Sequence, residues 1–294
     1  MELDYEYLAR ISKDAVLYTS RKTTNILDGG YNSVYRGKSL EFDDLKEYSQ
    51  GDDITSIDWK SSSRTDKLLV RRYIAEKKHT VLIIGDTGAK MDADTPCGDY
   101  KADIALMSMG VIGYLLGRQG ADVGFACSGE KGITNTPFRS GSQCIEELIR
   151  TYGSLVFENP RTDMNGLIMN MLQAFPMRRM IVFVITDISG LWAIDNMTLS
   201  RMTERNDVYF ICIDDATVTG GRIYDRVGEE YIDRFLAGSR RLKKAEEEER
   251  NNILTRFKRD ALRNRVVLER VQTASDVVDT VLNLFERGRS GIFG

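Results

Sequence analysis

Histidine is almost absent. The chain has 294 residues and one histidine, His79. This excludes a multi-histidine zinc site and leaves a single candidate for any Ser-His-Asp or Cys-His arrangement. His79 stands immediately before an apolar run, a place for a structural or exposed residue rather than a catalytic base. Cysteine is scarce as well: Cys97, Cys127, Cys144 and Cys212 form no CxxC pair. Cys127 and Cys212 fall inside apolar strand-like runs, so buried free thiols in a reducing compartment are expected. No positive excess exists, because 41 Lys and Arg against 44 Asp and Glu leave a net charge of −3. That balance argues against electrostatically driven nucleic-acid binding. The most apolar long stretch, Ile104 to Leu116, is too short and too interrupted by Gly and Ser to span a bilayer. Residues Met1 to Glu6 lack the basic and apolar regions of a signal peptide. The expectation is a soluble, cytoplasmic protein that neither enters a membrane nor binds nucleic acid.

What is present suffices for a core. Hydrophobic residues make up 42% of the chain and charged residues 29%, which fits one large or two unequal domains. Residues 1–78 are polar, rich in tyrosine and punctuated by Gly29-Gly30, Gly37 and Gly51-Asp52-Asp53 around short runs such as Lys67-Leu68-Leu69-Val70. They read as a small β-rich or irregular segment. From 79 to 294 the pattern changes to alternating strands and helices. Apolar runs at Thr80 to Asp86, Met180 to Asp187 and Val208 to Ile213 suit central parallel strands covered on both faces. Asp122 to Cys127 and Glu130 to Phe138 read as a hairpin, and Arg265 to Arg270 as a last strand. Helices are expected near residues 100–116, 143–152, 163–175, 196–204, 231–263 and 275–287. The fold class is therefore α/β, a Rossmann-like doubly wound, mostly parallel sheet behind a small β-rich N-terminal segment. The charged helix over 231–263 carries Lys243–Glu247, Lys244–Glu248 and Glu246–Arg250 at i,i+4. A solvated face explains these pairs more simply than a partner does.

In a parallel α/β sheet ligands bind at the carboxyl ends of the strands. Three strong strands end there in Asp86, Asp187 and Asp214-Asp215. Carboxylates gathered on one rim repel each other unless a divalent cation or a lysine intervenes. Two readings stand open: a hard-cation site around Asp86 and Asp187 with oxygen ligands, or aspartates that only cap the following turns and helices. Other motifs fail. Gly37-Lys38-Ser39 ends like a phosphate loop, but Asn32 stands where the first glycine belongs. Asp86-Thr87-Gly88 lacks the second acid of an aspartyl-phosphate nucleophile. Asp92-Ala93-Asp94 breaks as a calcium loop at Pro96 and Cys97. No G-x-S-x-G elbow exists.

One long ordered pattern covers residues 35–91. It runs through Gly37-Lys38-Ser39-Leu40-Glu41-Phe42, Leu45-Lys46-Glu47-Tyr48-Ser49-Gln50-Gly51-Asp52-Asp53 and Ile57-Asp58-Trp59-Lys60-Ser61-Ser62-Ser63-Arg64. It ends on Leu69-Val70-Arg71, Glu76 and the strand into Asp86. The pattern resembles the bacterial family catalogued as domain of unknown function fifty-eight. The likeness continues through Asp214-Asp215, Glu229, Tyr231, Ile232 and Asp233 to Leu284-Phe285-Glu286-Arg287. It implies a von Willebrand factor A-like domain behind a family-specific N-terminal segment. It also implies a metal-ion-dependent adhesion site for Mg²⁺, onto which Asp86, Thr162 and Asp187 map, with Met91 matching a methionine that commonly follows.

This chain departs from that pattern at two site positions. Gly88 removes one hydroxyl ligand, and Lys90 puts an ammonium where a second hydroxyl belongs. The metal site is then degenerate, weak or replaced by a salt bridge from Lys90; alternatively Lys90 swings into solvent and leaves Asp86, Thr162, Asp187 and waters to hold an ion weakly. Milder departures are Lys46, Gln50 and Ser63. The cluster of Gly51, Asp52, Asp53, Asp58, Trp59, Ser62 and Arg64 reads as a clasp between the two parts of the chain, with Trp59 as a packing anchor and Arg64 available to Asp58 or Asp53; a docking surface or active site is the competing reading. The resemblance further implies a non-enzymatic adaptor or co-chaperone for a MoxR-type AAA+ ATPase and its client, working through the carboxyl-end rim. The competing functions are a Mg²⁺-dependent phosphoryl hydrolase using Asp86 and Asp187, and a structural module whose ion site has decayed.

Overall fold

A computed structural model describes residues 40–49, 54–65, 67–75, 79–118, 120–129, 132–156, 162–176, 178–216, 224–225, 230–231 and 240–293. Gly29-Gly30, Asn32, Gly37-Lys38-Ser39, Gln50, Gly51, Asp52, Asp53, Glu76, Glu229, Ile232 and Asp233, singled out above, lie outside the described residues. The chain divides into two compact units, with a boundary between His79 and Thr80.

In the first unit, β1 (Leu40–Glu47) pairs antiparallel with β2 (Leu69–Ala75), and the register shifts between Phe42 and Asp44. Between them stands a helix that the sequence did not suggest, α1 (Trp59–Thr65). Its serines are indifferent helix formers, and local bonds hold it. Asp58 accepts from the Lys60 and Ser61 N–H groups, both at 3.1 Å, in the manner of an N-cap. Ser62 donates to the Asp58 carbonyl and accepts from Leu69 N–H at 2.9 Å, tying the helix to β2. The clasp residues Asp58 and Ser62 thus serve local structure, whereas Trp59 is 66% exposed.

In the second unit, six strands form one sheet in the order β10-β7-β6-β3-β4-β5. They are β3 (Thr80–Gly85), β4 (Asp122–Gly129), β5 (Gly132–Asn135), β6 (Ile181–Asp187), β7 (Asp207–Ile213) and β10 (Val267–Val271). All pairings are parallel except β4 with β5. Counted from β3, this is the 3-2-1-4-5-6 order of doubly wound folds with its third strand reversed. The helices are α2 (Lys101–Arg118), α3 (Ser142–Val156), α4 (Met164–Ala174), α5 (Ile188–Ala193), α6 (Asn196–Thr203), α7 (Arg240–Arg263) and α8 (Val277–Ser290).

Strand alternation distributes the core over both faces. Leu82, Ile84, Val182, Val184, Val208, Phe210 and Leu268 pack with residues of α4 to α7. Phe183 turns the other way, stacking on Tyr209 and meeting Phe285 of α8 edge-on. Cys127 and Cys212 are buried within these strands, and burial pushes the Cys127 thiol up to about 12.

Three element limits differ from expectation. The helix expected from residue 231 does not start there: Glu230–Tyr231 is the strand β9, paired with β8 (Tyr224–Asp225). A charged segment of helix-forming composition concealed that pairing. Among the described residues the second hairpin strand covers Gly132–Asn135 and stops short of Phe138, and the last strand starts at Val267 because Arg265 adopts a left-handed φ of 57°. The three expected i,i+4 pairs on α7 are present at 4.0, 3.6 and 3.2 Å.

Candidate functional site

The parallel register brings the strand-end acids together. Gly85 lies opposite Ile185 and Asp187 opposite Ile213. Asp86, one residue past β3, therefore stands beside the end of β6, and Asp214-Asp215 follow at the end of β7. The chain turns from β3 to β4 on one side and returns through β6 on the other. The crevice between β3 and β6 is thus the topological switch point, where such sheets bind ligands.

Asp86 and Asp187 are fully buried and heavily bonded. Asp86 Oδ1 accepts from Gly88 N–H at 3.0 Å, and Oδ2 accepts from Thr186 Oγ1 at 2.5 Å. Asp187 Oδ1 accepts from Gly190 N–H at 2.8 Å, capping α5. The fully buried Tyr152 donates its hydroxyl to the Asp86 carbonyl at 2.8 Å. Lys90 lies on the single turn Ala89–Met91 and spans both acids, with Nζ 2.8 Å from Asp86 Oδ2 and 3.2 Å from Asp187 Oδ1. Thr162 reaches the same place: its Oγ1 occupies the space into which a Cβ on Gly88 would project. A Cβ on Gly190 would overlap Thr186 Oγ1 and crowd Asp86 Oδ2 and Lys90 Nζ, both at 2.9 Å. Residues 86, 90, 162 and 187 thus share one lip of the sheet, and Met91 is buried beneath it.

Lys101, the first residue of α2, was missed. It is 2% exposed, with Nζ 3.0 Å from Asp187 Oδ2 and also bonded to Asp215. The available signal was a lysine opening an otherwise apolar helix, with more strand-end acids than Lys90 alone can neutralise. Asp214 and Asp215, adjacent in sequence, part company. Asp214 takes a bidentate bond from Arg270 at 2.8 and 2.7 Å and one from Gln272 at 2.7 Å. Asp215 faces Lys101, and its carbonyl accepts from Arg250 of α7 at 2.6 Å.

Burial opposes charge on both lysines, yet the aspartates beside them prevail and raise both above the usual lysine value. Burial also opposes ionisation of Asp187, but Lys101 and then Lys90 outweigh it and hold the carboxyl below its ordinary range. Asp215 goes the other way, pushed up by burial and then by Asp187 despite Lys101. The lysine contribution to stability is complete below the unfolded lysine value of 10.5 and is lost as pH rises through the higher folded value. The stability difference between wild type and Lys90→Met is therefore expected to hold from about pH 6 to about pH 10 and to shrink above that. Urea denaturation across the series measures it; a difference that grew above pH 10 would contradict the raised lysine.

The arrangement has limited chemical options. Among the described residues no group of three or more His, Cys, Asp or Glu side chains is placed to hold a metal ion. Every carboxylate oxygen of Asp86 and Asp187 already has a donor. Among the described residues no helix is long and apolar enough to cross a membrane.

A family model described as "Protein of unknown function DUF58" matches residues 44–266. An uncharacterised protein of Mycobacterium tuberculosis is 26% identical over 154 residues, which is 52% of this chain and 48% of that protein. The chain thus spans about half the length of the curated relatives it matches. Among solved structures, a von Willebrand factor type A protein from Catenulispora acidiphila aligns at 11% identity and a TM-score of 0.38, covering 77% of this chain and 45% of its own. The SpRpn10 VWA domain aligns at 11% identity and a TM-score of 0.38, covering 70% of this chain and 95% of its own.

Proposed function

The chain belongs to the DUF58 family, and we propose that it is a non-enzymatic protein-binding module whose carboxyl-end rim works without a metal ion, Lys90 and Lys101 standing in for one. One observation carries this reading: the Lys90 ammonium lies 2.8 Å from Asp86 and 3.2 Å from Asp187, while Lys101 takes the remaining Asp187 oxygen at 3.0 Å. Together the two ammoniums carry the charge of one divalent cation. Mg²⁺ needs oxygen ligands in near-octahedral geometry at ~2.0–2.1 Å. The donor set here does not suit it. Gly88 offers no hydroxyl, and the space beside it is filled by Thr162 Oγ1. An ion against the Asp86 and Asp187 oxygens would meet Lys90 Nζ, and two cations at that separation repel strongly.

A rim prepared in this way presents a fixed surface to a protein. The partner implied by the family resemblance is a MoxR-type AAA+ ATPase, with this chain as adaptor toward a client. Injecting MgCl₂ into wild type in a calorimeter is expected to give no saturable heat up to about 10 mM, and tight binding would end the lysine-for-metal reading. Affinity purification from the native cell tests the partner. Recovery of an AAA+ ATPase supports the adaptor role, and its absence from repeated captures removes that role. Phosphatase turnover lost on Asp86→Asn would replace the binding reading with the hydrolase.

A further inference from the structure

Beyond the rim acids, the surface beside them carries an aromatic and charge pattern that the buried cluster does not use. Trp192 lies on α5, the short helix that Asp187 caps, two residues from Gly190. It is 45% exposed. Arg256 of α7 lies over its ring at 5.0 Å and donates to the Trp192 carbonyl at 2.7 Å and the Leu191 carbonyl at 3.2 Å. The ring is thus held in place by backbone-anchored contacts while its outer surface stays open. Such rigid Trp–Arg pairs are the residue types that dominate binding hot spots.

The helix behind the ring extends the pattern. On α7, Leu254, Phe257 and Ala261 are buried against the sheet. Arg256, Arg259 and Arg263 recur at i, i+3 and i+7 and so share a different face. Arg259 is 63% exposed and Arg263 is exposed. From 256 to 265 the sequence holds five basic residues against one acid, Asp260, which lies 3.6 Å from Arg259. Asp195, the nearest acid on the following turn, is engaged by Thr198 N–H and Asn165. An open indole held by Arg256, the first residue of a basic stripe along the same helix, matches a segment that is negative and carries an apolar side chain.

We propose that Trp192 and the Arg256–Arg259–Arg263 stripe form a docking surface for an acidic protein segment with an apolar anchor. Carboxylates of the segment pair with the stripe, and its apolar residue covers the indole. This inference rests on the reading of the chain as a protein-binding module, yet it does not depend on how the rim acids are neutralised.

The chain has two tryptophans, Trp59 and Trp192, so Trp59→Phe makes Trp192 the sole indole reporter. Full-length Trp59→Phe protein is titrated with a soluble Glu/Leu peptide of about ten residues, the length of a typical docking segment. Parallel titrations use an all-Glu peptide, a Lys/Leu peptide, a poly-dT oligonucleotide and phosphatidylserine vesicles. The expected result is a saturable change in Trp192 emission with the Glu/Leu peptide, at least tenfold weaker with the all-Glu peptide and with Arg259→Glu/Arg263→Glu. Both substitutions lie on the exposed face, so circular dichroism and melting temperature should stay at wild-type values. No saturable change, equal binding of the Lys/Leu peptide, tighter binding of oligonucleotide or vesicles, or an emission change with protein concentration alone would each overturn the proposal. An MgCl₂ titration of the same Trp59→Phe protein separates the two readings: saturable magnesium heat overturns the metal-free rim without touching Glu/Leu binding, whereas failure of the peptide titration overturns the surface alone.

Discussion

Lys101→Met is expected to destabilise the protein by about 3–5 kcal/mol, the usual cost of stripping one partner from a buried ion pair. In a domain of this size that lowers the melting temperature by roughly 6–20 °C. Lys101 is 2% exposed and is the shared partner of Asp187 and Asp215. Methionine nearly matches its length, so packing changes little and the loss is electrostatic. Asp215 already titrates upward from burial and its neighbour Asp187, and without Lys101 the Arg250 charge is left to offset that pressure. Combining Lys101→Met with Asp215→Asn removes the unpaired acid and should recover part of the loss. Denaturant melts of the wild type, both single variants and the double variant form the cycle that reads this coupling. A Lys101→Met protein within about 1 kcal/mol of wild type would mean that water, rather than Lys101, satisfies these acids.

How legible the site was depended on which residues lie on a pattern. The central strands announced themselves because Val81 to Ile84 and Ile181 to Ile185 are continuous apolar runs, as strands covered on both faces require. Asp86 and Asp187 were legible because each ends such a run, and parallel pairing places run ends on one rim. Lys90 was legible only as a departure from the family spacing, four residues after Asp86, and the geometry gives that departure its position between the acids. Lys101 had no such frame. Its two acids lie 86 and 114 residues away, a distance that neither periodicity nor a local motif bridges. The helix at Trp59–Thr65 escaped for the opposite reason: its stability comes from Asp58 and Ser62 bonds made one at a time rather than from an apolar stripe. Position 231 misled because a run of helix-forming charges is equally compatible with the short strand that Tyr231 makes with Tyr224.

Gly190→Ala is expected to be nearly as damaging as the loss of Lys101, although it adds one methyl group and removes no charge. Gly190 sits in the first turn of α5, where its N–H bonds Asp187 Oδ1. Its missing side chain leaves the room in which Thr186 Oγ1 reaches Asp86 Oδ2 at 2.5 Å. Helix propensity alone favours alanine there by up to ~1 kcal/mol. Overpacking a rigid site costs about 1–3 kcal/mol, and breaking the Thr186 bond leaves a buried carboxylate short of a donor for about 1–3 kcal/mol more. The steric and hydrogen-bond costs exceed the propensity gain, so the net change is a loss of roughly 1–5 kcal/mol. Thr186→Ala relieves the overlap but forfeits the same hydrogen bond. Added to Gly190→Ala, it should therefore cost less than the sum of the two single changes, a non-additivity that denaturant melts resolve. Additive costs, or a Gly190→Ala protein as stable as wild type, would show that α5 can slide away from the acid cluster. The glycine would then be dispensable to the way Lys90 and Thr186 share Asp86.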